Sequence, residues 1–272
     1  ALIGSGAGGL FLANRALAPA RLAWANQQRF IADASHELRT PLTLLRADAE
    51  VLLRGRQNFD PEDAALLEDI VTESNHMSTI ATNLLTLARL DTGSIHREHE
   101  IVSLAALAQQ GVRRVQALAE QRHITIRIES NNDLYVVGDP TLLEQALLVL
   151  LDNAIKYNHT GGSVTIHTIA QGTQALLEVS DTGIGIASEH LSHLGERFYR
   201  VDKARSREAG GTGLGLSIAR SIATTHAGKL TLSSIARQGT TVTIMLPLAA
   251  INQHDRDRKT TETRLYEPEQ TI

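Results

Sequence analysis

The sequence contains no cysteine, which excludes a disulfide framework and any thiolate metal site. Aromatic residues make up only 3% of it, and no basic stripe with interleaved aromatics occurs. Stacking on single-stranded nucleic acid is therefore not expected, and a formal net charge of −4 gives no electrostatic reason to expect a nucleic-acid partner. Long apolar runs are missing too. The opening ALIGSGAGGLFLA stops at Asn14 and Arg15, short of the roughly 20 apolar residues that cross a bilayer. It is expected to be the end of a transmembrane helix whose cytoplasmic flank carries Arg15 and Arg21. The competing reading is a flexible glycine-rich leader. What the chain has is length and ordinary hydrophobicity: 272 residues, 42% of them hydrophobic, fit two globular domains better than one.

From about residue 22 to 55, Phe30, Ala34, Leu38, Leu42, Leu45 and Leu52 recur at helical steps. Asp60-Pro61-Glu62 then opens a second helix with a capping side chain, proline at the first helical position and acid in the first turn. Its stripe of Leu66, Ile70, Met77, Ile80, Leu84 and Leu87 keeps nearly heptad spacing, and Gly93 stops it. Two such helices joined by a short loop form a hairpin that leaves half of each stripe wet. A second copy cures this, so the pattern predicts a homodimer built around a four-helix bundle.

After residue 95 the texture changes. A short strand near 98–102, a helix from Leu104 to Glu120, the strands HITIRIE and LYVVG, and a helix from Asp139-Pro140 to about Tyr157 follow in turn. Strands near 163–169 and 174–180, a glycine-rich irregular span to 212, a helix from about Leu214 to His226 and the strands KLTLSSI and TTVTIMLPL close the domain. Hairpin-like strand pairs mixed with helices predict an α+β two-layer sandwich with helices on one face. The charged tail from Asn252 has no apolar period and is expected to be disordered.

Several stretches do not look like packing. ASHELRTPL, residues 34–42, sets His36 beside Glu37, but Thr40 stands where a zinc-binding H-E-x-x-H helix needs its second histidine. LLDNAIKYN, residues 150–158, places Asn153 in an otherwise apolar helix, with Lys156 and Tyr157 one turn on. DTGIGI, residues 181–186, ends a strand in a carboxylate followed by alternating glycines, which lets backbone approach a flat ligand while Asp181 accepts a hydrogen bond from it. ERFYRVD and GGTGLGLSIAR follow, with Arg200 in the first and Lys203, Arg205 and Arg207 between them. Glycines leading into a helix offer free N–H groups and a positive dipole end, which suit phosphate. The spacing is G-x-G-x-G rather than the Rossmann fingerprint, and no Walker lysine-serine pair is present. The residues alone support an unclassified nucleotide site.

In this order the motifs resemble those of sensor histidine kinases of bacterial two-component systems, over roughly residues 25–248. FIADASHELRTPLT resembles the phosphoacceptor box, LLEQALLVLLDNAIKYN the asparagine box, DTGIGI and GTGLGL the two glycine boxes, ERFYRVD the phenylalanine box, and Gly239-Thr240-Thr241 a weaker last one. The resemblance implies a multidomain chain: the end of a transmembrane helix and its linker at 1–21, a dimerisation and phosphotransfer hairpin at 22–93, and an ATP-binding sandwich of the topoisomerase and heat-shock ATPase type at 97–249. A tail covers 250–272. It further implies ATP and Mg²⁺ as cofactors, a response-regulator receiver domain as partner, a homodimer, and a place at the bacterial cytoplasmic membrane with this portion facing the cytoplasm.

By the same resemblance His36 becomes phosphorylated, Glu37 orients it, and Thr40 positions water for dephosphorylating the partner. Asn153 holds Mg²⁺, Lys156 reaches phosphate and Tyr157 lies against adenine. Asp181 takes the adenine amino group beside Gly183 and Gly185, with Thr240 from the last box. Arg200 and Lys203 meet the terminal phosphates, and Gly211, Gly213, Leu214 and Gly215 end a mobile lid.

Neutral imidazole offers the lone pair that phosphoryl transfer requires, and an adjacent carboxylate stabilises the cation formed on attack. Pro41 removes the N–H that would bond the Glu37 carbonyl, so a bend is expected just beyond His36. One departure stands out. Val149 occupies the position, four residues before Asn153, where the kinase pattern has another asparagine and where related ATPases place a water-activating glutamate. Valine does neither, and Glu144 points to the opposite side of the helix. ATP hydrolysis is therefore not the expected main reaction. The alternatives to a full autokinase are a degenerate ATP-binding dimeric scaffold or a phosphatase-dominant module.

Overall fold

The computed structural model describes residues 42–52, 60–92, 100–130, 133–201 and 211–250. His36, Glu37, Thr40, Pro41 and Lys203 lie outside the described residues, as do the segment 1–21 and the tail from 251. The described chain falls into two compact units: the residues before Arg97 with Ser192–Ile222, and Arg97–Leu191 with the residues from Ala223 onward.

In the first unit, residues 42–52 are helical (α1) and α2 covers Pro61–Thr92. Acidic Glu62 and Asp63 in the first turn and Arg89 in the last both complement the helix dipole. Along the expected stripe of α2, Leu87 is buried and Ile80 and Leu84 are half-buried, whereas Leu66, Ile70 and Met77 are exposed. On α1, Leu42 is buried, but Leu45 and Leu52 are exposed. Arg197 pairs with Asp91 at 2.5 Å, and Asn83 donates to the Thr212 hydroxyl at 3.4 Å. Both contacts tie the 192–222 segment to α2.

The second unit opens with β1 (Glu100–Ser103), α3 (Leu104–Gln121), β2 (Thr125–Ser130), β3 (Tyr135–Gly138) and α4 (Pro140–Lys156). Next come β4 (Ser163–Gln171), β5 (Gln174–Asp181) and the short α5 (Ser188–Leu191), which the sequence pattern did not predict. After α6 (Gly215–Thr225), which straddles the division between the units, β6 (Lys229–Ile235) and β7 (Gly239–Pro247) complete it. Five strands form one sheet in the order β2-β4-β5-β7-β6, and β1 pairs with β3 in a separate two-stranded sheet. HITIRIE and LYVVG are thus neighbours in sequence but belong to different sheets. β2 instead runs parallel to β4, while β4–β5 and β6–β7 are antiparallel hairpins.

Alternation explains the layering. Val164 and Ile166 of β4, Ala175, Leu177 and Val179 of β5, and Ile244 and Leu246 of β7 are buried on one face of the sheet. Leu104, Leu107, Ala108 and Val115 of α3 and Leu143, Leu147, Leu150 and Leu151 of α4 are buried with them, and both helices contact the sheet. A Cβ at Gly111 would crowd Leu147 and Leu151, so the small residue lets α3 and α4 approach. Caps fix both helix starts. Ser103 accepts from the Ala106 amide, and Asp139 accepts from Thr141 and Leu142, with Pro140 at the first helical position. The result is the α+β sandwich that the pattern predicted, following a helical region.

Candidate nucleotide-binding site

The residues singled out from sequence divide between the two units. Asn153, Lys156, Tyr157, Asp181, Gly183, Gly185 and Thr240 come together in the second; Arg200, Gly211, Gly213, Leu214 and Gly215 belong to the first.

Asp181 ends β5, where its register partner on β7 is Thr240. One carboxylate oxygen, Oδ1, accepts from the Gly183 amide at 2.8 Å and from the Thr240 amide at 3.2 Å. Among the described residues no donor meets Oδ2, so the carboxylate is held by one oxygen and offers the other. Burial pushes the Asp181 carboxyl above the usual range, opposed by the hydrogen bonds from Gly183 and Thr240. Beneath it the Ser180 and Thr241 hydroxyls bond each other at 2.5 Å.

The turn after Asp181 is clamped from two sides. The Ile184 amide donates to the Tyr157 carbonyl at 3.1 Å, joining the turn to the end of α4. Toward the β6–β7 hairpin, the Ile186 amide donates to the Ser234 hydroxyl at 2.8 Å and the Arg237 amide to the Ile184 carbonyl at 2.7 Å. Gly185 adopts φ +60°, and a Cβ there would overlap the Ile235 carbonyl. At Gly183 the Tyr157 carbonyl fills the same space, with Asp181 Oδ1 at 2.8 Å from the position a Cβ would take. Both glycines are thus required by close approach of the protein's own backbone.

On α4, Val149, Asp152, Asn153 and Lys156 are half-buried and form a stripe beside the buried Leu150, Leu151, Ala154 and Ile155. No described residue bonds the Asn153 carboxamide. Lys156 Nζ sits 2.8 Å from Asp152 Oδ2. Glu144, earlier on α4, is 8% exposed and pairs with Arg114 of α3 at 3.0 Å.

In the first unit, Gly213 adopts φ +73°, its carbonyl accepts from the Phe198 amide at 2.9 Å, and a Cβ there would meet Phe198 backbone at 2.9 Å and Arg200 Cγ at 3.2 Å. Phe198 itself has φ +65° and is 56% exposed, a strained backbone for a bulky residue. The Thr212 hydroxyl accepts from the Leu214 amide at 3.3 Å just ahead of α6, and the Leu214 side chain is fully buried. Among the described residues no acceptor meets the buried Nε and Nη2 of Arg200. A cation so placed suits an anionic ligand.

Two family models match this chain: the His Kinase A (phospho-acceptor) domain over residues 26–93 and the histidine kinase-, DNA gyrase B- and HSP90-like ATPase over residues 138–250. The chain belongs to the sensor histidine kinases. Sensor histidine kinase RppB of Synechocystis is 36% identical over 241 residues, covering 88% of this chain and 53% of that one. YkoH of Bacillus subtilis is 38% identical over 218 residues, covering 80% and 47%. The chain thus spans about half the length of those relatives. Among solved structures, full-length ShkA in complex with AMPPNP superposes with a TM-score of 0.69 at 24% identity, covering 82% of this chain and 46% of that one. Histidine kinase AdeS of Acinetobacter baumannii gives 0.57 at 24% identity, covering 78% and 98%. At such identities the two structures speak for the fold alone.

Several groups that hold the turn in place were not singled out from the sequence. Asn158 Nδ2 donates to the Ser163 carbonyl at 3.0 Å, and its Oδ1 accepts from the His159 amide at 3.0 Å and from the Thr182 hydroxyl at 3.3 Å. Thr182 also accepts from the Ser163 amide at 2.9 Å. These bonds join the end of α4, the start of β4 and the glycine turn. Ser234 joins the other side, donating to the Gly239 carbonyl at 2.8 Å and sharing a hydrogen bond with Thr240 Oγ1 at 2.9 Å. The available signal was local: a polar residue at the very end of an apolar helix, followed by Gly161-Gly162.

Proposed function

We propose that this chain is an ATP-dependent autokinase that phosphorylates His36 and passes the phosphoryl group to an aspartate of a response-regulator receiver domain. The observation that carries the reading is the half-committed Asp181 carboxylate. Two backbone amides fix Oδ1, leaving Oδ2 to accept from a planar ligand that presents an N–H, as adenine does. Tyr157, whose carbonyl is bonded to the same turn, lies against the base. Lys156, Arg200 and Lys203 meet the phosphates, and Gly211, Gly213, Leu214 and Gly215 close the segment over them. Thr240 orients Asp181. The ATPase family model over residues 138–250 supports a nucleotide as the ligand.

Mg²⁺ fits as an ion carried by the nucleotide. Such an ion keeps waters and phosphate oxygens and takes only one or two protein ligands, and Asn153 has a free carboxamide while Val149 has none. Bound there, it would neutralise charge on the leaving phosphates. His36 supplies the nucleophile: its ring nitrogen forms a bond to the γ-phosphorus as the β–γ bridging P–O bond breaks and ADP leaves. Glu37 accepts the hydrogen bond of the other ring nitrogen, and Thr40 positions water when the phosphorylated regulator is the substrate. The domain assignment of 22–93 to dimerisation and phosphotransfer, and of 97–249 to nucleotide binding, follows from this division of labour.

The exposed Leu66, Ile70 and Met77 support a homodimer in which a second copy covers them. Attachment to the bacterial cytoplasmic membrane through an upstream segment is part of the proposal. Among the described residues no helix is long and apolar enough to cross a membrane.

Incubation with γ-labelled ATP and Mg²⁺ tests the reading. An acid-labile, base-stable label that disappears in His36→Ala is expected. A folded protein that binds nucleotide and takes no label would instead favour the scaffold reading that Val149 motivates. Little label together with dephosphorylation of a phosphorylated receiver domain would mark a phosphatase-dominant module.

A further inference from the structure

We infer that Asp152 is a positioning residue of the nucleotide site: it holds Lys156 until a phosphate oxygen takes the ammonium group from it. The inference rests on the reading of Lys156 as a phosphate ligand. Asp152 Oδ2 and Lys156 Nζ are 2.8 Å apart, one turn from each other on α4, with the side chains 40% and 22% exposed. Lys156 in the last turn complements the carbonyl end of the helix dipole, whereas a carboxylate this close to that end opposes it. The i,i+4 pair adds only weakly to helix stability, and its cation is the very one assigned to the nucleotide.

The neighbours sharpen the point. Asp152 and Lys156 share the half-buried stripe with Val149 and Asn153, and among these four Asp152 is the one anionic group. Val149 brings no polar atom, and the Asn153 carboxamide stays neutral. Phosphate binding at Lys156 therefore proceeds by exchange of one anionic partner for another, and the released carboxylate is left beside the incoming charge. Asp152 weakens binding of free nucleotide and makes binding depend on the divalent cation that screens it.

A double-mutant cycle on the full chain tests this, with ADP titrated calorimetrically in the presence of EDTA and again with Mg²⁺. Asp152→Asn should tighten EDTA-condition binding by up to about twofold, as release from an i,i+4 ion pair warrants, and should narrow the gap between the two conditions. In a Lys156→Gln background, where only the residual repulsion remains, the same change should have a clearly smaller effect, and Asp152→Glu should behave like wild type. An equal gain in both backgrounds would show plain charge repulsion without exchange and overturn the inference. So would a lower thermal midpoint with unchanged affinity, the signature of a merely helix-stabilising pair. If Lys156→Gln alone leaves ADP affinity intact, the phosphate-ligand reading fails and the inference falls with it. If wild type is folded yet binds no ADP, the proposed function itself is refuted.

Discussion

The Thr240 amide and the Asp181 carboxylate meet at 3.2 Å across adjacent strands of the sheet, and the Gly183 amide approaches the same oxygen at 2.8 Å. Two donors on one oxygen leave its twin for a ligand. Replacing Asp181 by asparagine keeps an oxygen for both amides but places an amide nitrogen, itself a donor, where the ligand's N–H arrives. ATP affinity should fall about tenfold or more, the scale of a hydrogen bond to a charged group. Wild type should also prefer ATP to a 6-oxo purine nucleotide, and the variant should lose that preference. Calorimetric titration with both nucleotides reads the outcome.

The same residue links pH to stability. Burial raises the Asp181 pKa in the folded state, so folding favours the protonated acid. The stabilising contribution is fully present below the ordinary carboxylate pKa and is lost as pH rises through the raised value. At pH 7 the ionised group therefore costs stability. Asp181→Asn should melt at or above the wild-type temperature at pH 7, and the difference should close as pH falls. A variant that melts lower at pH 7 would contradict this.

Gly185 and Gly172 share φ +60°, yet their surroundings differ. A Cβ at Gly185 would overlap the Ile235 carbonyl, whereas nothing lies within 4 Å at Gly172. Gly172→Ala should cost about 1 kcal/mol from backbone strain alone. Gly185→Ala should cost about 2 kcal/mol or more, because a rigid carbonyl must move as well, and should weaken nucleotide binding through Ile184 and Asp181. Urea denaturation of both variants measures the contrast.

Val149 sits one turn before Asn153 on the half-buried stripe of α4. Introducing asparagine there adds a ligand oxygen beside the proposed metal position. Val149→Asn should increase the Mg²⁺-dependent part of ADP affinity by about fivefold, the scale of one added polar contact, with little change in EDTA. An equal effect in both conditions would show that the position does not face the ion.

If Leu66, Ile70 and Met77 of α2 face a second copy, charging them should separate the copies. A Leu66→Lys, Ile70→Lys double variant should shift the mass measured by light scattering from dimer to monomer, while nucleotide binding in the other unit persists. A dimer that survives would place the interface elsewhere.

Much of this was legible in the chain because patterns with a period carry their own geometry. The stripes of α3 and α4, the capping Asp139-Pro140 pair and the alternation in β4, β5 and β7 each predict one buried face, and those faces are buried. Asp181, Asn153 and Lys156 stood out as polar residues where packing alone would place apolar ones. Pairing was less legible. β2 and β3 are adjacent in sequence and alternate alike, yet β3 pairs with β1 and β2 runs parallel to β4, because partner choice depends on where α3 and α4 return the chain. The positioning roles of Asn158, Thr182 and Ser234 were invisible for the same reason, since each bonds groups that only tertiary structure brings near. The glycines of DTGIGI were noticed, but as room for a ligand; the structure adds that the Tyr157 and Ile235 carbonyls occupy that room.

The central claim is that nucleotide held by Asp181 and its neighbours feeds a phosphoryl group to the helical hairpin. The most direct measurement is mapping of the phosphorylated residue, under alkaline conditions that preserve phosphohistidine, after incubation of the full chain with ATP and Mg²⁺. The account predicts phosphate on His36 in wild type and markedly less of it in Asp181→Asn at the same limiting ATP concentration. Phosphate on another residue, or on His36 at wild-type levels in Asp181→Asn, would contradict it.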